Sequence, residues 1–272
     1  MTRPRTALTA LAVALLASAC ATTVSPTGRT QYVGAVSQAQ LDQLGEQAFA
    51  QMKSQQRVST DARQGAYVRC VVDAIVARLP DAQRRIAWES AVFVDDNPNA
   101  FALPGGKVGV HTGIFRVAQN QDQLAAVIAH EIGHVIARHH DERITRQAGA
   151  SGALQVVGAV LGSRYGEGVG NAAVQGGSIA AQAGFLLPGS RTQESEADVV
   201  GQQLMASAGF DPRAAVNLWQ NMIAASGSNR PAQWLSTHPD PQSRIGELQS
   251  RAEGLVPTWQ QARSAGRQPQ CG

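Results

Sequence analysis

The 272-residue sequence lacks a hydrophobic run long enough to cross a bilayer as a permanent helix, which argues against a protein with several membrane spans. It also lacks a run of basic residues. The formal net charge of +3 falls to +1 once the two arginines among the first 19 residues are removed. Charge therefore gives no reason to expect binding to nucleic acid. About 250 residues then remain, enough for one large domain.

The N-terminus has the features of a secretion signal. Arg3 and Arg5 precede an apolar stretch, residues 7–17, that is too short for a permanent membrane span. Small residues follow and end on Cys20. Such a run resembles the bacterial lipobox, so we predict a lipoprotein signal peptide over residues 1–19, with Cys20 as the lipidated N-terminus.

The residue after Cys20 bears on the membrane in which the protein resides. It is Ala21 and not aspartate, and by resemblance to Gram-negative lipoproteins this favours the periplasmic side of the outer membrane. Residues 20–36 are predicted to be the anchor and a tether rich in Thr, Ser and Gly. The alternative is an ordinary cleaved signal peptide with an incidental cysteine.

The sequence has only three cysteines. With Cys20 set aside, Cys70 and Cys271 remain, and a pair of cysteines in an oxidising periplasm is readily bridged. A disulfide between them would tie the C-terminal tail to an early helix. Two unpaired cysteines remain the alternative, because sequence does not establish that their Cα atoms approach.

The most informative motif is His-Glu-x-x-His, at His130, Glu131 and His134. Residues 124–136 are apolar nearly all round, which predicts a buried core helix. On a helix the two imidazoles project from one face one turn apart, which is the spacing that two ligands of one zinc ion need. Glu131 is turned away from that face and is the natural general base. Two core histidines satisfied by hydrogen bonds are the alternative.

A second helix, over residues 191–205, offers a third ligand. Glu194 and Asp198 are four residues apart and share one face. One carboxylate there can complete the zinc site, and the other can accept the N–H of a ligand histidine. Glu196 lies on the opposite face, so we expect it at the surface.

Four further histidines are weighed as ligands. His139 would lie about 140° round the same helix from His134, so we expect both His139 and His140 to face solvent at an exposed helix end that includes residues 141–143. His111 is interpreted as structural. His238 is placed to reach over the metal, where it would assist catalysis or occupy the open coordination position, or it is a surface loop residue.

The remaining patterns predict helices, one short strand and a hairpin. Asn120 is a candidate cap for the zinc helix, with Gln123 as its capping-box partner. One arm of the hairpin is predicted to expose its edge to an extended substrate, or the hairpin packs on the core. The helices are predicted at 37–53, 62–79, 211–224 and 240–253, the strand at 91–94 and the hairpin at 100–111, with a Pro104-Gly105-Gly106 turn.

Residues 149–189 hold 11 of the 27 glycines and only two charged residues. We expect a flexible, partly helical cover over the cleft, since glycine-rich apolar segments have low local stability. A loop that touches the membrane and a simple helical hairpin are the alternatives.

Several motifs together resemble one family, the zinc metallopeptidases of the CAAX prenyl proteases, which also holds the bacterial heat-shock membrane protease and periplasmic quality-control lipoproteins. The resemblance covers about residues 37–253. It is carried by the residue groups HEIGH at 130–134, ESEAD at 194–198 after Arg191, Thr237-His238-Pro239, Arg244-Ile245, Asn99-Ala100-Phe101 and Pro104-Gly105-Gly106.

The resemblance implies one Zn²⁺ per chain, held by His130, His134 and Glu194. It implies that Glu131 is catalytic and that Asp198 supports a ligand histidine. It also suggests His238 and Arg244 as active-site neighbours. The chain resembles the short lipoprotein branch with a catalytic domain only, because too few residues follow position 253 for tetratricopeptide repeats.

We therefore expect an α+β, mostly helical fold of the gluzincin type, with a small sheet beside the zinc-binding helix. The metallopeptidase domain is predicted at 37–255 and a C-terminal tail at 256–272. The expected function is zinc-dependent endoproteolysis of misfolded or misassembled cell-envelope proteins. The alternatives are a chaperone-like protein that holds outer-membrane clients and a latent enzyme.

Overall fold

The protein is described here by a computed structural model, which describes residues 21–151, 190–225, 238 and 241–272. Helices dominate, and two small sheets accompany them, so the predicted α+β, mostly helical class is confirmed. The strands are β1 (Ala21–Val24), β2 (Thr30–Val33), β3 (Glu89–Phe93), β4 (Ala100–Leu103) and β5 (Lys107–His111). The helices are α1 (Gln38–Gln55), α2 (Ala62–Val76), α3 (Asp81–Arg84), α4 (Gln121–Ile136), α5 (His139–Ser151), α6 (Arg191–Ala208), α7 (Ala214–Ala225) and α8 (Pro241–Ser264), with a 3₁₀ turn at Thr112–Arg116.

Helix α4 carries the His-Glu-x-x-His motif through the centre of the molecule, as predicted. Its residues from Gln123 to His134 are all buried, and it packs against α2, α6, α7 and β4. Asn120 caps it, because its side-chain oxygen accepts the Gln123 N–H at 2.9 Å. The predicted reciprocal bond from the Asn120 N–H to the Gln123 side chain is wrong, because Gln123 Oε1 accepts from the Gln119 N–H instead.

The predicted hairpin is confirmed as β4 and β5, which pair antiparallel, while β3 joins the other side of β5 in parallel. The turn needs its two glycines, since Gly105 and Gly106 have φ of 75° and 74°. Strand β5 is therefore central, and within the described residues β4 is the arm that has an unpaired edge.

The predicted tether is wrong for residues 21–33, which form a hairpin of β1 and β2. Gly28 lies in its turn with φ of 87°. The hairpin is held to the rest of the fold because Gln31 Nε2 donates to the Ala137 carbonyl at 2.7 Å and the Gly34 N–H donates to Asp141 Oδ1 at 2.9 Å. The Thr, Ser and Gly composition suggested a linker, whereas these bonds are to residues more than 100 positions away.

The last helix is longer than predicted. Helix α8 continues past residue 253 to Ser264, through Pro257, so the first part of the predicted 256–272 tail is helical. It continues because its inner side chains are buried and because Trp259 Nε1 donates to the Gly209 carbonyl at 3.0 Å. Gly209 closes α6 in the left-handed conformation.

The C-terminal residues return to the start of α4. Cys70 on α2 and Cys271 form a disulfide, with Cα atoms 5.4 Å apart. Next to it, Gln121 accepts the Cys271 N–H at 2.9 Å and donates to the Pro269 carbonyl at 2.8 Å. The chain end is thereby fastened to the first turn of the central helix.

Within the part of the chain that the structure describes, no helix has the length and apolar character needed to traverse a membrane. The predicted signal peptide and Cys20 lie outside the described residues. So does the glycine-rich segment from residue 152 onward, and with it the expected cover.

Candidate metal centre

Two helices bring the predicted ligands together. His130 and His134 on α4 and Glu194 on α6 meet, and His238 joins them, so that one donor atom from each lies within 4.8 Å of every other. The two imidazole Nε2 atoms are 3.1 Å apart, and they lie 3.4 and 3.5 Å from the Glu194 carboxylate oxygens. All four side chains are buried. Glu194 Oε1 accepts no hydrogen bond from the described residues, as a carboxylate oxygen reserved for a metal ion would.

The helices approach closely at two glycines. A Cβ built on Gly133 would lie 2.9 Å from the Ala197 carbonyl oxygen, and a Cβ on Gly201 would lie 2.9 Å from the His130 backbone nitrogen. Because the obstructing atoms are backbone, a larger residue would push the helices apart. Glycine at these positions lets Glu194 reach the histidines.

Arg244 on α8 neutralises the acids of the centre. It donates to both oxygens of Asp198 at 2.7 Å and to Glu194 Oε2 at 2.9 Å, and its guanidinium lies 4.1 Å from the ring centroid of Trp219. Such bidentate, charge-assisted bonds are strong. Sequence reasoning placed Arg244 near the active site but did not identify these partners.

Asp198 also contacts one of the predicted ligands. Its Oδ1 is 3.0 Å from His130 Nδ1. Burial opposes protonation of His130, but the bonds to Asp198 and Glu194 outweigh burial and raise the pKa of His130 to about 9. Burial alone would raise the pKa of Glu194, yet the charges of His238 and His130 lower it to about 2. The centre is therefore anionic on the α6 side.

Glu131 lies beside the cluster without belonging to it. Its Oε1 is 3.3 Å from His238 Nε2, and its side chain is buried. His238 thus contacts both the cluster and Glu131. His111, on β5, is outside the cluster and next to Asp95 at 3.5 Å, and burial lowers its pKa.

The sequence profile of peptidase family M48 matches residues 62–252. The chain belongs to peptidase family M48. Mitochondrial metalloendopeptidase OMA1 of Schizosaccharomyces pombe is 39% identical over 184 residues, which is 67% of this chain and 51% of that protein. The beta-barrel assembly-enhancing protease of Escherichia coli is 29% identical over 218 residues, 79% of this chain and 44% of that protein. The chain thus spans about half the length of these relatives.

The expectation that His139 and His140 face solvent is wrong, since both are buried. The M48 motif helix ends at Ile136, and Arg138 takes a left-handed φ of 55°, so α5 starts in a new direction. The expectation for His139 assumed that α4 continues past this break. It instead returns to His134, with the two Nδ1 atoms 2.8 Å apart. No glycine or proline at the break gives a sequence signal for it.

The expectation that Glu196 is at the surface is also wrong. It is buried, and its Oε2 is 3.1 Å from His139 Nε2 and 2.8 Å from Arg29 Nη2. Glu142, expected at an exposed helix end, is buried beside the same arginine. Burial would raise the pKa of Glu142, but the bonds from Arg29 and Gln193 lower it to about 2. Arg29 is 113 and 167 positions from these acids, so sequence spacing could not reveal it.

The close helix approach yields the first prediction. Gly201→Ala places a methyl group against the His130 backbone, so we expect a loss of about 1–3 kcal/mol in unfolding free energy and weaker metal binding. Urea unfolding and competition with a zinc chelator measure the two effects. Gly246→Ala on α8 is the control, because nothing lies within 4 Å of its added Cβ. A Gly201→Ala protein that matches this control in metal affinity would contradict the account.

Proposed function

We propose that the protein is a zinc-dependent endopeptidase with one Zn²⁺ per chain. The observation that carries the proposal is the convergence of His130, His134 and Glu194 from two helices, with Glu131 next to them and outside the donor cluster. A purely structural metal site has no role for a buried carboxylate that lies beside the ligands without binding the metal.

The donor set fits zinc. Bonds of about 2.0–2.2 Å to a tetrahedral ion separate its ligand atoms by about 3.3–3.6 Å. The Nε2 atoms of His130 and His134 are 3.1 Å apart, and each lies near one oxygen of Glu194, at 3.4 Å from Oε2 for His130 and 3.5 Å from Oε1 for His134. Imidazole nitrogen and carboxylate oxygen are also the donors of catalytic zinc sites with an open fourth position.

When bound, zinc polarises a substrate carbonyl and lowers the pKa of water toward about 7. Glu131 then serves as general base: its carboxylate accepts the proton of the attacking water and delivers it to the leaving amine nitrogen. Asp198 keeps the Nδ1 proton of His130 in place, so the Nε2 lone pair faces the ion. Arg244 offsets the charge of Asp198 and Glu194, so that both remain ionised while buried.

For substrates we propose unfolded or misassembled polypeptides of the cell envelope. The support is the name of the bacterial relatives, beta-barrel assembly-enhancing protease, together with the predicted secretion signal. The edge of β4 would accept an extended segment of such a chain as a further strand. Such recognition through the backbone suits clients that share no sequence.

A second candidate, a latent peptidase, is favoured by one observation. The ring of His238 lies among the donors of the cluster and within 3.3 Å of Glu131, where a substrate carbonyl would have to enter. In this account His238 closes the site at rest. The other role open to His238 is donation to the oxyanion of the transition state.

The peptidase proposal predicts the behaviour of Glu131→Gln. We expect it to keep about one zinc per chain and to lose casein hydrolysis by roughly 10²–10⁴-fold, since the amide cannot accept the proton. Zinc is measured by atomic emission and cleavage by release of fluorescent peptides. Glu253→Gln, at an exposed position, is the control. If Glu131→Gln still complements a deletion strain, the protein acts by holding clients and not by cleaving them.

Latency predicts a gain of activity for His238→Ala. Cleavage of casein should rise several-fold, up to about tenfold for an arrangement that is open a tenth of the time, while zinc remains bound by three ligands. Steady-state kinetics of the zinc-loaded variant measures the change. A fall in kcat instead assigns His238 to the transition state.

We also propose lipid attachment at Cys20 and residence on the periplasmic side of the outer membrane. Mass spectrometry of protein purified from membranes should find a diacylglyceryl modification on Cys20, and Cys20→Ser should move the protein to the soluble periplasmic fraction. A mature N-terminus other than residue 20 would disprove the anchor.

A further inference from the structure

The two histidines of the His-Glu-x-x-His motif are supported in different ways. His130 Nδ1 lies 3.0 Å from Asp198 Oδ1. Arg244 Nη2 is farther from that nitrogen, at 3.3 Å, and donates to Asp198. A carboxylate only accepts, so the Nδ1 of His130 carries a proton, and in the neutral ring that binds a metal the Nε2 lone pair faces the cluster. One carboxylate fixes this tautomer directly.

His134 contacts another imidazole, and not a carboxylate, at its Nδ1. Its Nδ1 is 2.8 Å from the Nδ1 of His139, and the two rings are buried. One of these nitrogens must carry the proton and the other must accept it. If His139 carried it, the Nδ1 of His134 would be the acceptor, and the neutral ring would bear its proton on Nε2, where a metal must bind. The distance between these two nitrogens leaves both arrangements open.

The other nitrogen of His139 decides between them. His139 Nε2 lies 3.1 Å from Glu196 Oε2. That same oxygen receives two bonds from Arg29, at 3.1 Å from Nε and 2.8 Å from Nη2, and Thr27 Oγ1 donates to Glu196 Oε1 at 2.6 Å. A carboxylate paired in this way is an acceptor only, so His139 Nε2 carries the proton.

The tautomer of His139 determines the tautomer of His134. With its proton on Nε2, the neutral His139 has a bare Nδ1, which accepts from the Nδ1–H of His134. The Nε2 lone pair of His134 is then left to face the cluster. We propose that Arg29, Glu196 and His139 form a positioning chain that selects the metal-binding tautomer of His134. This inference rests on the proposed metal ligation by His134.

Through the positioning chain, the N-terminal hairpin of β1 and β2 helps to orient a residue of the proposed metal centre. Arg29 lies in the turn of β1 and β2, and it also pairs with both oxygens of the buried Glu142, at 2.7 and 2.8 Å. Arg29 precedes the M48 match, which begins at residue 62, whereas His139 and Glu196 lie within it. A residue that the family profile does not reach thus acts on His134 through two intervening residues.

Variants of the chain test the proposal through zinc affinity. Glu196→Ala removes the acceptor of the His139 Nε2 proton, so the tautomer of His134 is no longer selected and we expect the zinc dissociation constant to rise about 10–100-fold. Arg29→Met should raise it in the same direction. Arg146→Met is the matched control, because among the described residues Arg146 Nη2 also pairs with Glu142, at 2.8 Å, but does not pair with Glu196. Competition with a chelator gives each constant, and circular dichroism checks the fold.

Nitrogen NMR of the imidazole rings tests the unaltered protein and does not depend on whether a variant folds. In wild-type protein labelled with ¹⁵N-histidine and loaded with zinc, His139 should carry its proton on Nε2 and His134 on Nδ1. In folded Glu196→Ala the proton on His139 should no longer be confined to Nε2. If His139 had only a structural role, the Glu196 variant would leave the proton positions on His139 and His134 unchanged.

The proposal is overturned if wild-type His139 carries its proton on Nδ1, or if folded Glu196→Ala binds zinc as tightly as Arg146→Met. These readouts are independent of peptide cleavage. A protein that binds zinc with the expected tautomers but does not cleave casein would contradict only the proposed function. A protein that cleaves casein and has unchanged zinc affinity in Glu196→Ala would contradict only the positioning chain.

Discussion

The close packing of α4 against α6 is the constraint on which the rest of the structure depends. The donors of the metal centre lie on both helices, so the helices must approach until Glu194 reaches the two imidazoles. Gly133 and Gly201 permit this, because backbone atoms occupy the space where a Cβ would be. The sheet, α2, α7 and the disulfide-fastened C-terminus pack around α4 and hold it in that position.

Such packing buries charge, and two arginines from distant parts of the chain offset it. Arg244 pairs with Glu194 and Asp198, and Arg29 pairs with Glu142 and Glu196. Removing one partner from a buried pair typically costs about 3–5 kcal/mol, since the remaining charge is left unpaired in a poor solvent. The acids are therefore fixed in both ionisation state and direction, and this fixes the histidines that contact them.

Local patterns predicted much of this site. Helical spacing placed His130 and His134 on one face and Glu194 near Asp198, and the glycine turn gave the hairpin of β4 and β5. The misses arise where distant contacts override local pattern. Arg138 breaks a helix without glycine or proline, and Arg29 draws Glu196 inward from a position far along the chain. Neither event follows from residue spacing, because each depends on a partner that periodicity does not specify.

The central claim is that one zinc ion sits between α4 and α6. Diffraction from crystals of the zinc-loaded protein, recorded on both sides of the zinc absorption edge, tests it most directly. The account predicts one anomalous peak per chain, about 2.0–2.2 Å from His130 Nε2, His134 Nε2 and a Glu194 oxygen, with Glu131 outside the coordination sphere. An absent peak at this position, or a peak coordinated by Glu131, would contradict it.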